Sequence, residues 1–327
     1  MMSIPKRQHT VPSVYLKNFV DGEGRLTVWS KRRKTTLRPN PDDALIRRYY
    51  YSQPVNGIDN ANHSLEIDLL GAIETKYPKL LSAVLSGEKN LDLETLLHTI
   101  LMLRSRSTAF REPFELALSD LVERQIKSIP ESQLPPPPND YPDIRDHLVV
   151  TIDPHRSLQA MAYYVVNYVR PLTRMEWTIR STPKGKELLT SDNPVVWYER
   201  GFCGRLPIIY PQDLTLKTRA VVPVTRTAAL VGRRSSTGDM RFLGRGPELS
   251  RELVRESNKI QLACAWDDVV ITSNLRRSEI DTFGRFAPRM EIHHYEPESG
   301  AFLLNRTYLD AFREKCKFER YSGKNSE

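Results

Sequence analysis

The chain reads as an α+β protein, on two observations. Helical apolar spacing dominates residues 62–129, whereas short β-prone runs separated by Pro, Gly and Asp clusters dominate residues 177–231. A Pro run at 135–138 divides the two regions and suits an extended, solvated connection. The expected organisation is therefore a short hairpin and long helices over 1–134, a Pro-rich linker over 135–150, and a mixed part over 151–327 packed against the first as one unit.

From the N-terminus, Val14 to Phe19 predicts a helical turn and Asp21-Gly22-Glu23-Gly24 a tight turn. A hairpin follows, with strands at Arg25–Ser30 and Thr35–Arg38 joined by Lys31-Arg32-Arg33-Lys34, and a third strand is expected at Arg48–Ser52. Leu65, Leu69, Leu70, Ile73, Tyr77, Leu80, Leu81 and Val84 recur at helical spacing within 62–86, with Gly87 as the stop. A second long helix is expected over 93–129, bent or broken at Pro113. Beyond the linker, Asp153-Pro154 opens a helix to about Arg170, and Gly246-Pro247 opens another to about Cys264. Strands are expected at 177–180, 187–190, 195–198, 216–222, 228–231 and 268–272. The segment 291–318 is too mixed to assign.

Lys plus Arg number 48 against 40 Asp plus Glu, a net charge of +8 that favours anionic partners. With 39% hydrophobic and 27% charged residues the chain is too apolar for disorder and too polar for a membrane protein. Its most apolar run, 161–169, is too short to span a bilayer. Three scattered cysteines, Cys203, Cys264 and Cys316, argue against a disulfide scaffold or zinc ribbon and point to a reducing cytoplasm.

Three blocks carry a resemblance: His9-x-Val11-Pro12-x-x-Tyr15-Leu16-x-x-Phe19, Arg104 to Glu112, and Thr190-Ser191-Asp192-Asn193-Pro194-Val195. Together they resemble an uncharacterised prokaryotic domain-of-unknown-function family, whose members open with His-x-Val-Pro-x-x-Tyr-Leu and carry a Thr-Ser-Asp-Asn-Pro block. The resemblance runs from about His9 to Thr272, with Pro223 and Asn258 as further landmarks. Members of the family carry Arg-Thr-Pro where this chain has Arg106-Ser107-Thr108. The resemblance implies a soluble prokaryotic protein and supplies no reaction.

Helical geometry aims several charges inward. At about 100° per residue, Glu66 falls in the apolar stripe of its helix, and Arg104 and Arg111, seven residues apart, share the apolar sector of theirs. Buried charges must be paired or face a cavity holding an anion. A structural Glu–Arg ion pair satisfies that need; so does an anion site in which a spare guanidinium fork takes phosphate. Asp192-Asn193 can be a simple strand-end turn, or Asp192 a base or metal ligand with Asn193 positioning a substrate. His9 can be a surface histidine, or a general base folded inward by Val11-Pro12. Ser191 lacks the Gly-x-Ser-x-Gly surroundings of a nucleophile, and the adjacent His293-His294 lack ligand spacing. Gly244-Arg245-Gly246-Pro247 matches no phosphate-binding motif.

Between Arg25 and Arg48, eight cations, among them Arg32, Arg33 and Lys34, stand against two acids, with Trp29 and Tyr49 to Tyr51 nearby. That composition suits phosphate contact with base stacking, or a solvated basic hairpin that binds nothing. The leading expectation is a cytoplasmic nucleic-acid-associated protein whose pocket hydrolyses a phosphodiester. Arg104 and Arg111 would hold the phosphate, His9 act as acid or base, Asn193 position the substrate, and Asp192 with Glu66 bind a divalent metal such as Mg. The alternative is a non-catalytic nucleic-acid- or protein-binding module whose inward charges form a structural network. A small-anion sensor is the third possibility.

Overall fold

The computed structural model describes residues 7–48, 50–51, 53–55, 58–62, 71–140, 142, 146–154, 157–158, 169–199, 208–210, 214–273, 275–295 and 302–313. It is a mixed α+β structure, with helices in the first half after a short β-hairpin and a sheet-rich second half.

The opening strand β1 (Arg7–His9) leads into a short helix α1 (Ser13–Leu16) and a 3-10 turn over Lys17–Phe19. Asp21 then closes the expected tight turn, its carboxylate accepting the amides of Glu23 and Arg25. The hairpin follows as β2 (Val28–Ser30) and β3 (Thr35–Leu37), antiparallel, with Lys34 at φ 53° in its turn. The third expected strand is displaced: β4 (Ile46–Arg48) lies N-terminal to the Tyr run and pairs with β1, not with the hairpin. A small hairpin, β5 (Gln53–Val55) and β6 (Ile58–Asn62), precedes the helices.

Helix α2 (Gly71–Ser86) ends where Gly87 takes φ +75° and the Glu88 amide reaches back to Ala83 O, a left-handed cap that glycine adopts without Cβ strain. The expected continuation of this helix over 63–70, with Glu66, lies outside the described residues. Asp92 caps α3 (Leu93–Ser105) by accepting the Thr95 amide at 3.0 Å. The single long helix expected over 93–129 is two helices. The break falls at Ser107, whose ψ of 143° is extended, and α4 (Thr108–Ser128) carries Pro113 inside it. The Ser107 hydroxyl donates to Arg104 O, taking up a carbonyl freed by the break. Residues 135–138 are exposed and without regular structure, and most of the helix expected from Asp153 lies outside the described residues.

In the second half come β7 (Met175–Ser181), β8 (Thr190–Ser191), β9 (Trp197–Glu199), β10 (Ile208–Ile209), β11 (Thr218–Thr225), β12 (Ala228–Arg234) and β13 (Arg241–Arg245). Helix α5 (Arg251–Cys264) is capped by Ser250, four residues later than Gly246-Pro247 suggests. Gly246 instead packs against Arg180, where a Cβ would lie 2.9 Å from the guanidinium Nε. Strand β14 (Asp268–Val270), helix α6 (Arg277–Phe283) and a hairpin of β15 (Phe286–Tyr295) and β16 (Phe302–Ala311) complete the order.

Six strands form one sheet in the order β10-β9-β11-β12-β7-β13, antiparallel except for β13 beside β7. A second sheet, β3-β2-β14-β8, mixes strands from both halves of the chain. The largest apolar cluster does the same, joining Tyr15, Phe19, Ile100, Phe110 and Phe114 to Trp177, Trp197 and Val222. Helix α4 lies along β15. The α3–α4 break and the turn after β8 therefore meet deep in the molecule.

Candidate functional site

Thr190 to Asn193 are fully buried. Burial of an acidic turn demands hydrogen-bond partners, and Asp192 has four donors. Its Oδ1 accepts the Trp266 amide at 2.8 Å; its Oδ2 accepts the amides of Asp267 at 2.8 Å and Asp268 at 3.2 Å and the Thr108 hydroxyl at 2.7 Å. Burial raises the Asp192 pKa, against which the Thr108 hydroxyl and the amides favour the charged form. A magnesium ion needs free carboxylate lone pairs, and Asp192 already accepts from four donors inside the fold. Among the described residues there is no group of three or more His, Cys, Asp or Glu arranged to hold a metal.

Asn193 is equally engaged. Its Nδ2 donates to Cys264 O at 2.8 Å, and its Oδ1 accepts Tyr210 Oη at 3.1 Å and Arg104 Nη1 at 3.3 Å. Ser191 Oγ donates to Gln261 Oε1 at 2.7 Å, so its hydroxyl is directed into the fold. The buried Arg104 guanidinium also reaches Ser107 Oγ at 3.2 Å and lies 4.0 Å from the Tyr210 ring centroid, a cation–π arrangement. Arg104 and Asn193 thus meet, while Asp192 joins the same junction through Thr108.

Arg111 occupies a neighbouring site. Its Nε donates to Glu115 Oε1 at 2.8 Å, one Nη to the Tyr50 carbonyl and the other to Pro154 O at 2.9 Å. Ser157 donates its hydroxyl to the same Glu115 oxygen. Arg106, in the α3–α4 break, pairs with Glu74 and donates through Nε to His9 O at 2.5 Å. His9 is half-buried, and burial, then Arg106, lower its pKa, while Glu74 and Asp42 act the other way. The His9 backbone is thus tied to Arg106, two residues before the Thr108 that binds Asp192.

A third group surrounds the hairpin. Lys31, expected in the solvated basic turn, is 6% exposed and donates to the carbonyls of Ala265 at 2.6 Å and Phe286 at 2.5 Å. Burial lowers its pKa to about 8. Asp267 accepts Ser30 Oγ at 2.8 Å and pairs with Arg32 at 3.2 Å and Arg47 at 3.5 Å. Beside it, burial and then Asp192 raise Asp268 to about 7, against which Arg47 acts at 3.5 Å.

The expected stacking surface on the hairpin is corrected by these positions. Trp29 and Tyr51 are buried core residues, and Tyr50 is half-buried with its hydroxyl on Glu112 at 2.9 Å; Tyr49 lies outside the described residues. The cations are also depleted, since Arg38 pairs with Asp21 and Glu23. Arg33 and Lys34 remain exposed at the turn.

Sequence reasoning missed Glu115, Glu74, Thr108, Lys31, Asp267 and Tyr210. Glu115 and Thr108 did carry a signal: Glu115 lies one helical turn after Arg111, and Thr108 follows a Ser that can interrupt a helix.

The family model described as "Protein of unknown function (DUF4238)" matches residues 7–274. No curated protein and no solved structure matches the chain.

Proposed function

The chain belongs to the DUF4238 family, and from its geometry we propose that it is a non-catalytic nucleic-acid-binding module, in which the inward charges lock the fold and exposed cations meet phosphate. The observation that carries this reading is the division of the charges. Arg111 and Asp192 spend their hydrogen-bonding capacity inside the protein, whereas Arg33 and Lys34 stand exposed at the β2–β3 turn without an ion pair among the described residues. With Trp29 and Tyr51 buried, recognition among the described residues would rest on phosphate contacts and so be salt-sensitive. A cytoplasmic setting suits the free, buried Cys264. No described helix is long and apolar enough to cross a membrane.

Titration of a labelled single strand at several salt concentrations tests the reading. Replacing Arg33 and Lys34 with Ala should flatten the slope of log K against log salt by roughly 0.7 for each phosphate that the protein ceases to neutralise. Absence of binding at low salt, or an unchanged slope in the double variant, would defeat it.

Phosphodiester hydrolysis is the second reading, and one observation favours it. His9 Nε2 is buried and has no hydrogen-bond partner among the described residues, leaving an imidazole available for proton transfer. Cleavage of the same labelled strand, abolished in His9→Ala, would replace the non-catalytic reading.

A further inference from the structure

Four cations converge on a cleft of about 200 Å3 that is separate from every group described above. Lys186 comes from the turn before β8, Arg251 and Arg255 from the first half of α5, and Arg276 from the residue preceding α6. Arg251 and Arg255 are one helical turn apart and so present like charges on one face, an arrangement that repels unless an anion bridges it. None of the four forms an ion pair among the described residues.

The two acids in the wall offset the four cations only in part. Glu187 is bound to Arg226 at 3.0 Å, and Glu279 accepts the backbone amide of Arg276 at 3.4 Å. The nearby Asp281 is taken by Arg277 at 3.2 Å. Asn258 fixes the floor, donating to Glu187 O and accepting the Leu189 amide, both at 2.9 Å, while Val254 and Leu275 supply apolar lining. The cations are therefore held on three separately anchored segments around a recess.

Arginine forks match the oxygens of phosphate in bidentate fashion. The volume is below the roughly 300–1,000 Å3 of sites that enclose a whole organic ligand, so the recess suits an anionic end group whose carrier stays outside. We propose that this cleft binds the phosphate monoester end of a small phosphorylated molecule. It shares no residue with the hairpin, so it stands or falls independently of the nucleic-acid reading.

The test uses the full chain with inorganic phosphate and phenyl phosphate as probes, followed by calorimetry and thermal shift, with sodium chloride matching the ionic strength. Saturable binding of both probes is expected, weakened tenfold or more in Arg251→Ala/Arg255→Ala and in Arg276→Ala, and unchanged in Arg33→Ala/Lys34→Ala. A wild-type far-ultraviolet circular dichroism spectrum confirms folding of each variant; Lys186→Ala gives a further readout if the double variant fails to fold. No saturable binding beyond the chloride control overturns the proposal. So does equal affinity in the cleft variants. Displacement of phenyl phosphate by an oligonucleotide without terminal phosphates also overturns it, because that outcome marks a polyanion patch instead of a monoester site.

Discussion

Thr108 donates its hydroxyl to Asp192 Oδ2 over 2.7 Å, tying the first residue of α4 to the turn after β8. The same carboxylate gathers the amides of Trp266, Asp267 and Asp268. One side chain thus clamps three segments distant in sequence. An asparagine would present an NH2 group where a carboxylate oxygen now accepts, orphaning one or two buried donors. Asp192→Asn should therefore cost about 2–4 kcal/mol, and Thr108→Val about 1 kcal/mol, in urea unfolding. Wild-type midpoints in both variants would show that the turn is held by other means.

The Arg111–Glu115 pair permits a cleaner measurement, because its side chains are only 3% and 2% exposed. Glu115→Gln leaves the guanidinium its two backbone carbonyls and only the more distant charge of Glu112, and should cost about 2–4 kcal/mol. A cycle with Arg111→Met should give a coupling well above about 1 kcal/mol. Additive effects would mean that the carbonyls of Tyr50 and Pro154, not the carboxylate, hold Arg111.

The inward placement of Arg104 and Arg111 was legible because a 3.6-residue period leaves few positions for an apolar face, and both arginines fall within it. The break between their helices was not. Pro113 is the stronger breaker by propensity, yet the chain turns at Ser107, where the Arg104 carbonyl gains the Ser107 hydroxyl and the guanidinium reaches Asn193. The second of those gains depends on a residue 89 positions away. Lys31 was hidden for a related reason. Four consecutive cations read as a solvated face, but the end of β2 pairs with Asp268, and the Lys31 amide continues that ladder to Asp267 O. This carries its side chain inward, onto the carbonyls of Ala265 and Phe286. The basic run is thus split by sheet pairing that local composition does not encode.

Lys31 should leave a pH signature. Burial brings its folded pKa down to about 8 from an ordinary 10.5. Between those values the unfolded chain holds a proton that the folded one has released, so stability rises with pH through this window. The penalty is full below pH 8. At about 1.4 kcal/mol per unit, the gain between pH 8 and pH 10 is on the order of 2–3 kcal/mol. Lys31→Met removes the donor to Ala265 and Phe286 and should be less stable throughout, but its profile should lack the rise. Parallel urea midpoints for the two proteins from pH 8 to 10 would rule out a depressed lysine. Cys264, whose thiol burial pushes up to about 12, opposes the rise from about pH 9, so the Lys31 contribution is read as the difference between the two proteins. Above about pH 10, Tyr15 and Tyr50, whose pKa values burial raises, oppose it further, so the comparison ends there.

Asp268 should give the opposite sign in an acid window. Burial, followed by the charge of Asp192, raises its carboxyl to about 7, although Arg47 lies 3.5 Å away. From about pH 4 to 7 the folded protein therefore holds a proton that the unfolded chain has released, and stability falls as pH rises. Asp268→Asn is neutral throughout and should remove that fall. Relative to wild type it should gain on the order of 4 kcal/mol between pH 4 and pH 8, at roughly 1.4 kcal/mol per pH unit, the pull of Arg47 being already included in the raised carboxyl. Arg47→Ala should extend the fall to higher pH, because it removes the cation that stabilises the charged carboxylate and so raises the carboxyl further. Carbon-13 titration of the Asp268 carboxyl supplies a direct check. A midpoint near 7 is expected; one near 4, with pH profiles of wild type and Asp268→Asn running in parallel, would mean that Arg47 and solvent offset the burial of this group.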